Sequence, residues 1–426
     1  MAFRRRLPLP LQQRDFSLIW SANLANGFGS QMVAVAVGWQ VYAIHRSALD
    51  LGLIGLAEFV PLLVLALPVG HLSDRFPRRL VFAVAMSVEM TVISGLLVVS
   101  LTGAHQLWPF FALAAGTGAA GAIGMPAGRA LPAMVVPFDL IPTAMAVRSL
   151  SFQMATIAGP ALGGFLFSIR PEVVYGAGVG ILGLGLVALL QVRVPAMERN
   201  EEPVSLHSVL AGIRFIRATP VIFGAITLDL FAVLFGGALA LLPLYARSIL
   251  HTGPFGLGVL RSAFAVGALS AGVMLTRRRL GARVGRTLMI AVALFGVGTI
   301  VFGFSHSFVL SVAALILSGF VDMISVNIRS TTVALATPND LRGRVNAVEM
   351  VFISASNELG AFESGVAAAL LGAVTAVVAG GAVTIGLSAV WSFVFPALAK
   401  IDRFEDVHTG SLESRADRPH SPGSPA

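Results

Sequence analysis

Apolar residues run along this chain in blocks of about twenty, and polar and charged residues gather in short intervals between them. A helix of that length, rising about 1.5 Å per residue, spans the roughly 30 Å hydrocarbon core of a bilayer. Twelve blocks are legible: near 17–44, 51–70, 80–103, 107–128, 143–168 and 173–192, then near 220–245, 257–276, 287–304, 308–328, 347–370 and 377–398. The pattern predicts an all-α membrane protein with twelve transmembrane helices. The longest polar interval contains Glu198, Arg199, Glu201, Glu202 and Pro203, and it divides the twelve into sixes. The expected organisation is an N-terminal six-helix half (1–192), a cytoplasmic linker (193–219), a C-terminal six-helix half (220–400) and a disordered cytoplasmic tail (401–426) with almost nothing to bury.

Composition excludes a soluble globular protein. Hydrophobic residues make up 56% and charged residues only 12%, against roughly 25% charged in a soluble domain. Many of the 45 Gly and 22 Pro fall inside the apolar blocks, where neighbouring helices can satisfy the backbone groups they free. With no Cys, a disulfide framework, a thiolate metal site and a cysteine nucleophile are all excluded. The sequence pI near 11 does not point to nucleic acid, because the Arg residues are scattered in short clusters between apolar spans. With the N-terminus in the cytoplasm, all of the 29 Lys and Arg residues except Arg46, Arg170, Arg247 and Arg261 fall on the cytoplasmic side. That positive-inside bias predicts two cytoplasmic termini. Arg4, Arg5 and Arg6 precede an apolar run too long for a cleavable signal, so the first span is expected to be retained.

An internal repeat supports the division into halves. PFDLIPTAMAV (137–147) matches PNDLRGRVNAV (338–348) at Pro, Asp, Leu, Ala and Val, and the same offset carries Gly159 onto Gly360 and Gly164 onto Gly365. Parallel six-helix halves related by an axis along the membrane normal are a transporter architecture, with the substrate site between them near the midplane.

The loop after the second span reads GHLSDRFPRR. It resembles the signature of the major facilitator superfamily: Gly70, Leu72, Ser73, Asp74, Arg75, Arg78 and Arg79 match, and Pro77 stands where Gly is usual. The resemblance implies a cytoplasmic gate in which Gly70, Asp74, Arg75, Arg78 and Arg79 latch the halves; the alternative is that these Arg residues only set topology. TRRRLGAR (276–283) occupies the equivalent loop of the second half without an acid. In the fifth span GPALGG, with Gly159, Pro160, Gly163 and Gly164, resembles the motif of the superfamily's exporters, with Ala146 and Ala155 replacing its first two Gly. Such small residues allow close helix contact, and Pro160 removes a backbone bond. GLIGLAEFVP (52–61), LDLFAVLFGGALALLPLYAR (228–247) and NELGAFESG (357–365) are similar to the enterobactin (siderophore) exporters and related bacterial efflux proteins, and the likeness runs from about Phe16 to Ala399.

Ionisable residues inside spans cost at least about 2.5 kcal/mol each at the bilayer centre, so each invites a functional explanation. They are Glu58, Glu89, Asp229, Asp322, Glu358 and Glu363, with Arg261 as the only basic residue expected within a span. The stripe Ser354, Glu358, Ala361, Gly365 follows helical spacing and turns Glu358 toward other helices or a wet cavity. The superfamily fold implied by the resemblance lines its cavity with the first, fourth, seventh and tenth helices. That singles out Asp229 and Asp322 for proton coupling or substrate contact, with Glu58, Glu358 and Glu363 as further candidates. Carboxylates satisfied by Ser, Asn or backbone partners are the structural alternative, and this is the expectation for Glu89. His71, His105, His251 and His306 fall at loop edges and are expected to face water.

No enzyme is expected. A P-loop is absent, no His, Asp and Glu cluster has metal spacing, and GTGAAGAIG (116–124) lies inside a span with no preceding strand, so neither cofactor nor metal is implied. The function expected is that of a monomeric secondary transporter of the bacterial inner membrane, exporting a small amphipathic molecule, siderophore or drug-like, by proton antiport. A facilitator or importer of a polar metabolite, and a non-transporting scaffold or sensor, remain alternatives. Siderophores such as enterobactin are acidic, whereas several carboxylates with hardly any cation favour neutral or cationic cargo.

Overall fold

The computed structural model describes residues 8–103, 106–194, 206–278, 281–338 and 341–407, with the side chains of 66–75, 206–210 and 347 outside that description. Among the described residues every regular element is helical, and twelve long helices carry the fold. The first half holds α1 (Arg14–His45), α2 (Ala48–Arg75), α3 (Arg78–Leu101), α4 (Trp108–Met134), α5 (Ile141–Ile169) and α6 (Pro171–Leu190). The second holds α7 (Pro220–Phe235), α8 (Pro254–Arg277), α9 (Val284–Phe304), α10 (Phe308–Ala336), α11 (Arg342–Leu371) and α12 (Ala373–Val394). Ten of these regions are long and apolar enough to cross a membrane. The two left out, α1 and α11, have ample length but carry Ser30, Gln31, Asn357 and Glu358 toward the interior of the molecule.

Helix boundaries follow local chemistry. Pro171, Pro220 and Pro254 each stand in the first turn of their helix, where the missing N–H has no intrahelical partner to lose. Between α11 and α12 the chain turns at Gly372 with φ of +83°, a conformation glycine adopts without a steric penalty. Each half has its own apolar core. Phe82, Met86, Phe110 and Leu182 lie in the first, and Ile222, Leu228, Leu288 and Leu398 in the second.

Three regions differ from the sequence expectation. The seventh block is not one continuous helix: α7 stops at Phe235, and the chain continues through a 3-10 turn (Ala238–Leu241) and a π turn (Tyr245–Ile249). The interruption sits at Gly236 and Gly237, where a Cβ would lie 2.5 Å from the Ala232 carbonyl and 2.7 Å from Ser364 Oγ respectively. Irregular backbone at membrane depth is tolerated where it lines a cavity, and both glycines do so. The linker, for its part, contains a helix (Leu206–Ala218) whose Ile216 is buried in the second-half core. The first residues assigned to the tail are packed: Ile401 and Val407 are buried in that same core. The Arg283 N–H donates to the Asp402 carboxylate at 3.0 Å and the Gly285 N–H to the Ile401 carbonyl at 2.9 Å, which satisfies the start of α9. Residues 408–426 lie outside the described residues.

The halves meet along two seams, α2 against α11 and α5 against α8. Both are tight on the side of the membrane opposite the chain termini, called the far side below. A Cβ on Gly365 would lie 2.7 Å from the Gly52 Cα, and one on Gly258 would lie 2.3 Å from the Pro160 carbonyl. Tyr42 and Ser248 share a hydrogen bond at 2.8 Å, and the Arg247 guanidinium lies 5.5 Å from the centre of the Trp39 ring. A third apolar cluster joins Val35 and Ala48 of the first half to Leu241, Leu257 and Phe302 of the second. The far side is therefore closed.

Candidate substrate cavity

Beneath that closure the halves enclose a cavity of about 460 Å³. Its apolar wall includes Val33, Leu96, Phe110, Phe264 and Phe295, and its charged lining is Glu58, Glu89, Arg261, Asp322 and Glu358. The resemblance implied a lining from the first, fourth, seventh and tenth helices. Those helices contribute, but three of the five charged groups come from α2, α8 and α11, because the two seams run past the cavity and present their inner faces to it.

The charged groups fall into distinct settings. Glu58 on α2 and Glu358 on α11 face each other across one seam, and Arg261 on α8 interacts electrostatically with both. Among the described residues, no salt bridge within 4.0 Å joins these three. Glu89 is 6% exposed and accepts a hydrogen bond from Ser30 Oγ at 2.8 Å. It therefore has a local partner, as expected of a structural carboxylate, yet it also lines the cavity. Asp322 is the middle residue of α10 and lines the main cavity as well as two smaller ones below it. The larger of these, about 210 Å³, shares Val233, Asp322 and Asn357 with the main cavity and reaches Val333 and Glu349 toward the termini side.

Asp229 is placed differently from the other acids, because it forms an ion pair with Arg329, which is only 7% exposed. The apolar pattern ends the tenth span at residue 328, which puts Arg329 outside it and leaves Arg261 as the lone intramembrane base. The structure differs: α10 continues to Ala336, carrying Arg329 two turns beyond Asp322. Two signals for this existed, the apolar run that resumes after Ser330 and the seven-residue spacing that puts Asp322 and Arg329 on one helix face. Glu363 does not line the cavity, while Gln31 and Asn357, which sequence reasoning passed over, do. Gln31 carries no charge and so gave no signal within an apolar block.

The motif residues divide between the seams and the termini side. Gly70, Asp74 and Arg75 occupy the last turns of α2, where side chains lie outside the description. Arg78 opens α3 behind Pro77, whose φ of −55° suits the position before a helix. Arg79 donates to the Val192 carbonyl, tying the start of α3 to the end of α6. In GPALGG the small residues serve two contacts. A Cβ on Gly159 would lie 2.7 Å from Gln31 Cβ, one on Gly163 2.6 Å from the Met32 carbonyl, and one on Gly164 2.3 Å from the Pro254 carbonyl. Next to Pro160, Ser262 Oγ of α8 donates to the Ile157 carbonyl of α5 at 2.5 Å. The motif thus holds α5 close to α1 within its half and to α8 across the seam.

Comparison with known proteins agrees with this architecture. A family described as transmembrane secretion effector matches residues 8–414. The enterobactin exporter EntS of Shigella flexneri is 25% identical over 399 residues, covering 91% of this chain and 93% of the exporter. EntS of Escherichia coli O139:H28 matches to the same extent. Among solved structures, a bacterial homologue of the iron transporter ferroportin in an inward-facing state aligns with a TM-score of 0.70 at 17% identity, covering 91% of this chain and 99% of that one. A bacterial homologue of the lysosomal transporter Spinster, inward-facing and occupied, aligns at 0.67 and 14% identity, covering 99% and 100%. The family match across nearly the whole chain, on a fold of two six-helix halves, leaves no enzyme to seek: the chain belongs to the transmembrane secretion effector family and is a transmembrane transporter of the major facilitator type.

Proposed function

We propose that this protein exports a small amphipathic molecule from the cytoplasm across the bacterial inner membrane in exchange for protons, working as a monomer with both termini in the cytoplasm. The observation that carries the reading is the cavity between the halves, which is closed on the far side and continued by a second cavity toward the termini side. Its volume of about 460 Å³ lies within the range of pockets that bury drug-sized ligands. An aromatic and aliphatic wall favours the apolar part of the cargo. Carboxylates at Glu58, Asp322 and Glu358 offer protonatable groups inside the same space, so proton and cargo compete for it. The similarity to the enterobactin exporters supports export and brings a siderophore into the substrate panel. The excess of acids over Arg261 on the cavity wall favours neutral or cationic cargo.

In this reading Asp322 is the first choice for the coupled proton, since among the described residues it has no ion-pair partner and it touches all three cavities. Asp229 becomes a positioning residue through its pair with Arg329. Gly70, Asp74, Arg75, Arg78 and Arg79 are assigned to the cytoplasmic gate. The test is efflux from proteoliposomes against a panel of dyes and siderophores, with and without an imposed proton gradient. Gradient-driven accumulation of at least one amphipath is the expected result. Accumulation indifferent to the gradient would remove proton antiport, and failure of every amphipath alongside uptake of polar metabolites would replace export by import.

A further inference from the structure

Arg261 holds an unusual position. It belongs to α8 at one seam, while Glu58 and Glu358 belong to α2 and α11 at the other, and all three face the same cavity. The acids come from opposite halves. A Cβ on Gly55, one turn before Glu58, would lie 3.4 Å from Glu358 Oε2, so the two helices bring like-charged side chains close at the point where the halves touch. Like charges at a contact favour its separation, more strongly away from bulk water. Each acid interacts with Arg261, and Glu58 also with Glu89 of α3. The remaining titratable group on this cavity wall, Asp322, comes from α10.

We infer that Arg261 is the latch of the far-side closure: its positive charge, presented from the α5–α8 seam, offsets the repulsion between Glu58 and Glu358 and so keeps the α2–α11 seam shut. Opening toward the far side pulls α2 from α11 and α5 from α8 together, which withdraws Arg261 from Glu58 as the two acids part. One basic side chain of the α5–α8 seam thereby acts on the acids of the other seam. The inference goes beyond the choice of cargo, because it concerns the balance between two shapes of the empty protein.

The chain contains no Cys, so a pair of spin labels can be placed without background. Leu49 at the start of α2 and Leu370 near the end of α11 are 37% and 78% exposed and flank the seam on the far side. Double electron–electron resonance on the Leu49→Cys, Leu370→Cys protein, in mildly alkaline buffer without substrate or gradient, reads the open and closed populations directly. Arg261→Gln is expected to raise the open-to-closed ratio by about tenfold, a typical coupling between two conformations. Adding Glu58→Gln to Arg261→Gln should restore the closed distribution, since it removes the repulsion. An unchanged distribution in Arg261→Gln overturns the latch, and an opening that Glu58→Gln does not reverse overturns it too, leaving a packing role only. If Arg261→Gln does not fold, Arg261→Met takes its place; an open distribution supports the latch and a closed one refutes it. Because no transport is measured, any of these failures leaves the efflux assay to decide the proposed function separately.

Discussion

Asp229 and Arg329 belong to one half, face each other from α7 and α10, and form a closed ion pair. Glu58, Arg261 and Glu358 come from both halves, surround open space and touch through no salt bridge among the described residues. Both groups place charge at membrane depth, where it is costly, yet they answer that cost in different ways. The pair lies within one half, bridging α7 and α10, and Arg329 also faces Glu349 of α11 in that same half. The triad has two acids for one base and is distributed over the surfaces that must separate. A charge group of the first kind stabilises a half, and one of the second kind responds to the relation between halves.

The sharpest way to separate them is transport. Asp322→Asn keeps shape and hydrogen bonding while losing titration, so gradient-driven efflux should be abolished with downhill exchange retained. Asp229→Asn removes the ion-pair partner of buried Arg329, leaving Glu349 as the remaining acid facing it, and should lower both modes together. Equal behaviour of the two variants in reconstituted vesicles would erase the distinction between a coupling carboxylate and a positioning one. Next in size is stability. Removing one partner of a buried pair leaves an uncompensated charge, so Arg329→Ala should cost about 3 to 5 kcal/mol in unfolding experiments. The double change Asp229→Leu, Arg329→Leu should cost much less. If Arg329→Ala unfolds like the parent protein, the pair is not shielded as the fold shows.

The seams give smaller effects. Gly258→Val introduces a side chain where even a Cβ would meet the Pro160 carbonyl at 2.3 Å and Ala161 Cα at 3.0 Å. Overpacking of this kind costs roughly 1 to 3 kcal/mol, and it should fall on the far-side-closed form, seen as faster labelling of Leu49→Cys by a membrane-impermeant thiol reagent. Gly159→Leu presses α5 on α1 within one half instead, so its expected signature is slower exchange without that gain in labelling. Smallest is Tyr42→Phe, which removes the hydrogen bond to Ser248 and should shift the closed state by about 0.5 to 1.5 kcal/mol. Labelling that rises more in Tyr42→Phe than in Gly258→Val would place the main barrier in the Tyr42 and Trp39 region and not at the α5–α8 seam.

Much of this was open to reading from residues alone. Twelve apolar blocks follow from the thickness of a bilayer, the two halves from the polar interval and the matched segments at 137–147 and 338–348, and the family from GHLSDRFPRR and GPALGG. Glu58, Asp322 and Glu358 were also legible, because an acid inside an apolar block stands out against its neighbours. These signals are local: each needs only the chain within a few turns.

Partnership was not legible. Asp229 and Arg329 are a hundred residues apart in sequence, and nothing in either block says that they meet; Arg329 in particular lies one residue past the end of the apolar block at 308–328. The break in α7 was hidden for a similar reason, since Gly236 and Gly237 look like ordinary small residues until Phe295, Ser364 and Gly360 close around them. Hydropathy marks most of the segments that lie in the membrane, ten of the twelve long helices among the described residues, because insertion is decided largely block by block against lipid. Which charges neutralise one another, and which are left to the cavity, depends on how helices from distant parts of the chain face each other, and only the packed halves decide that.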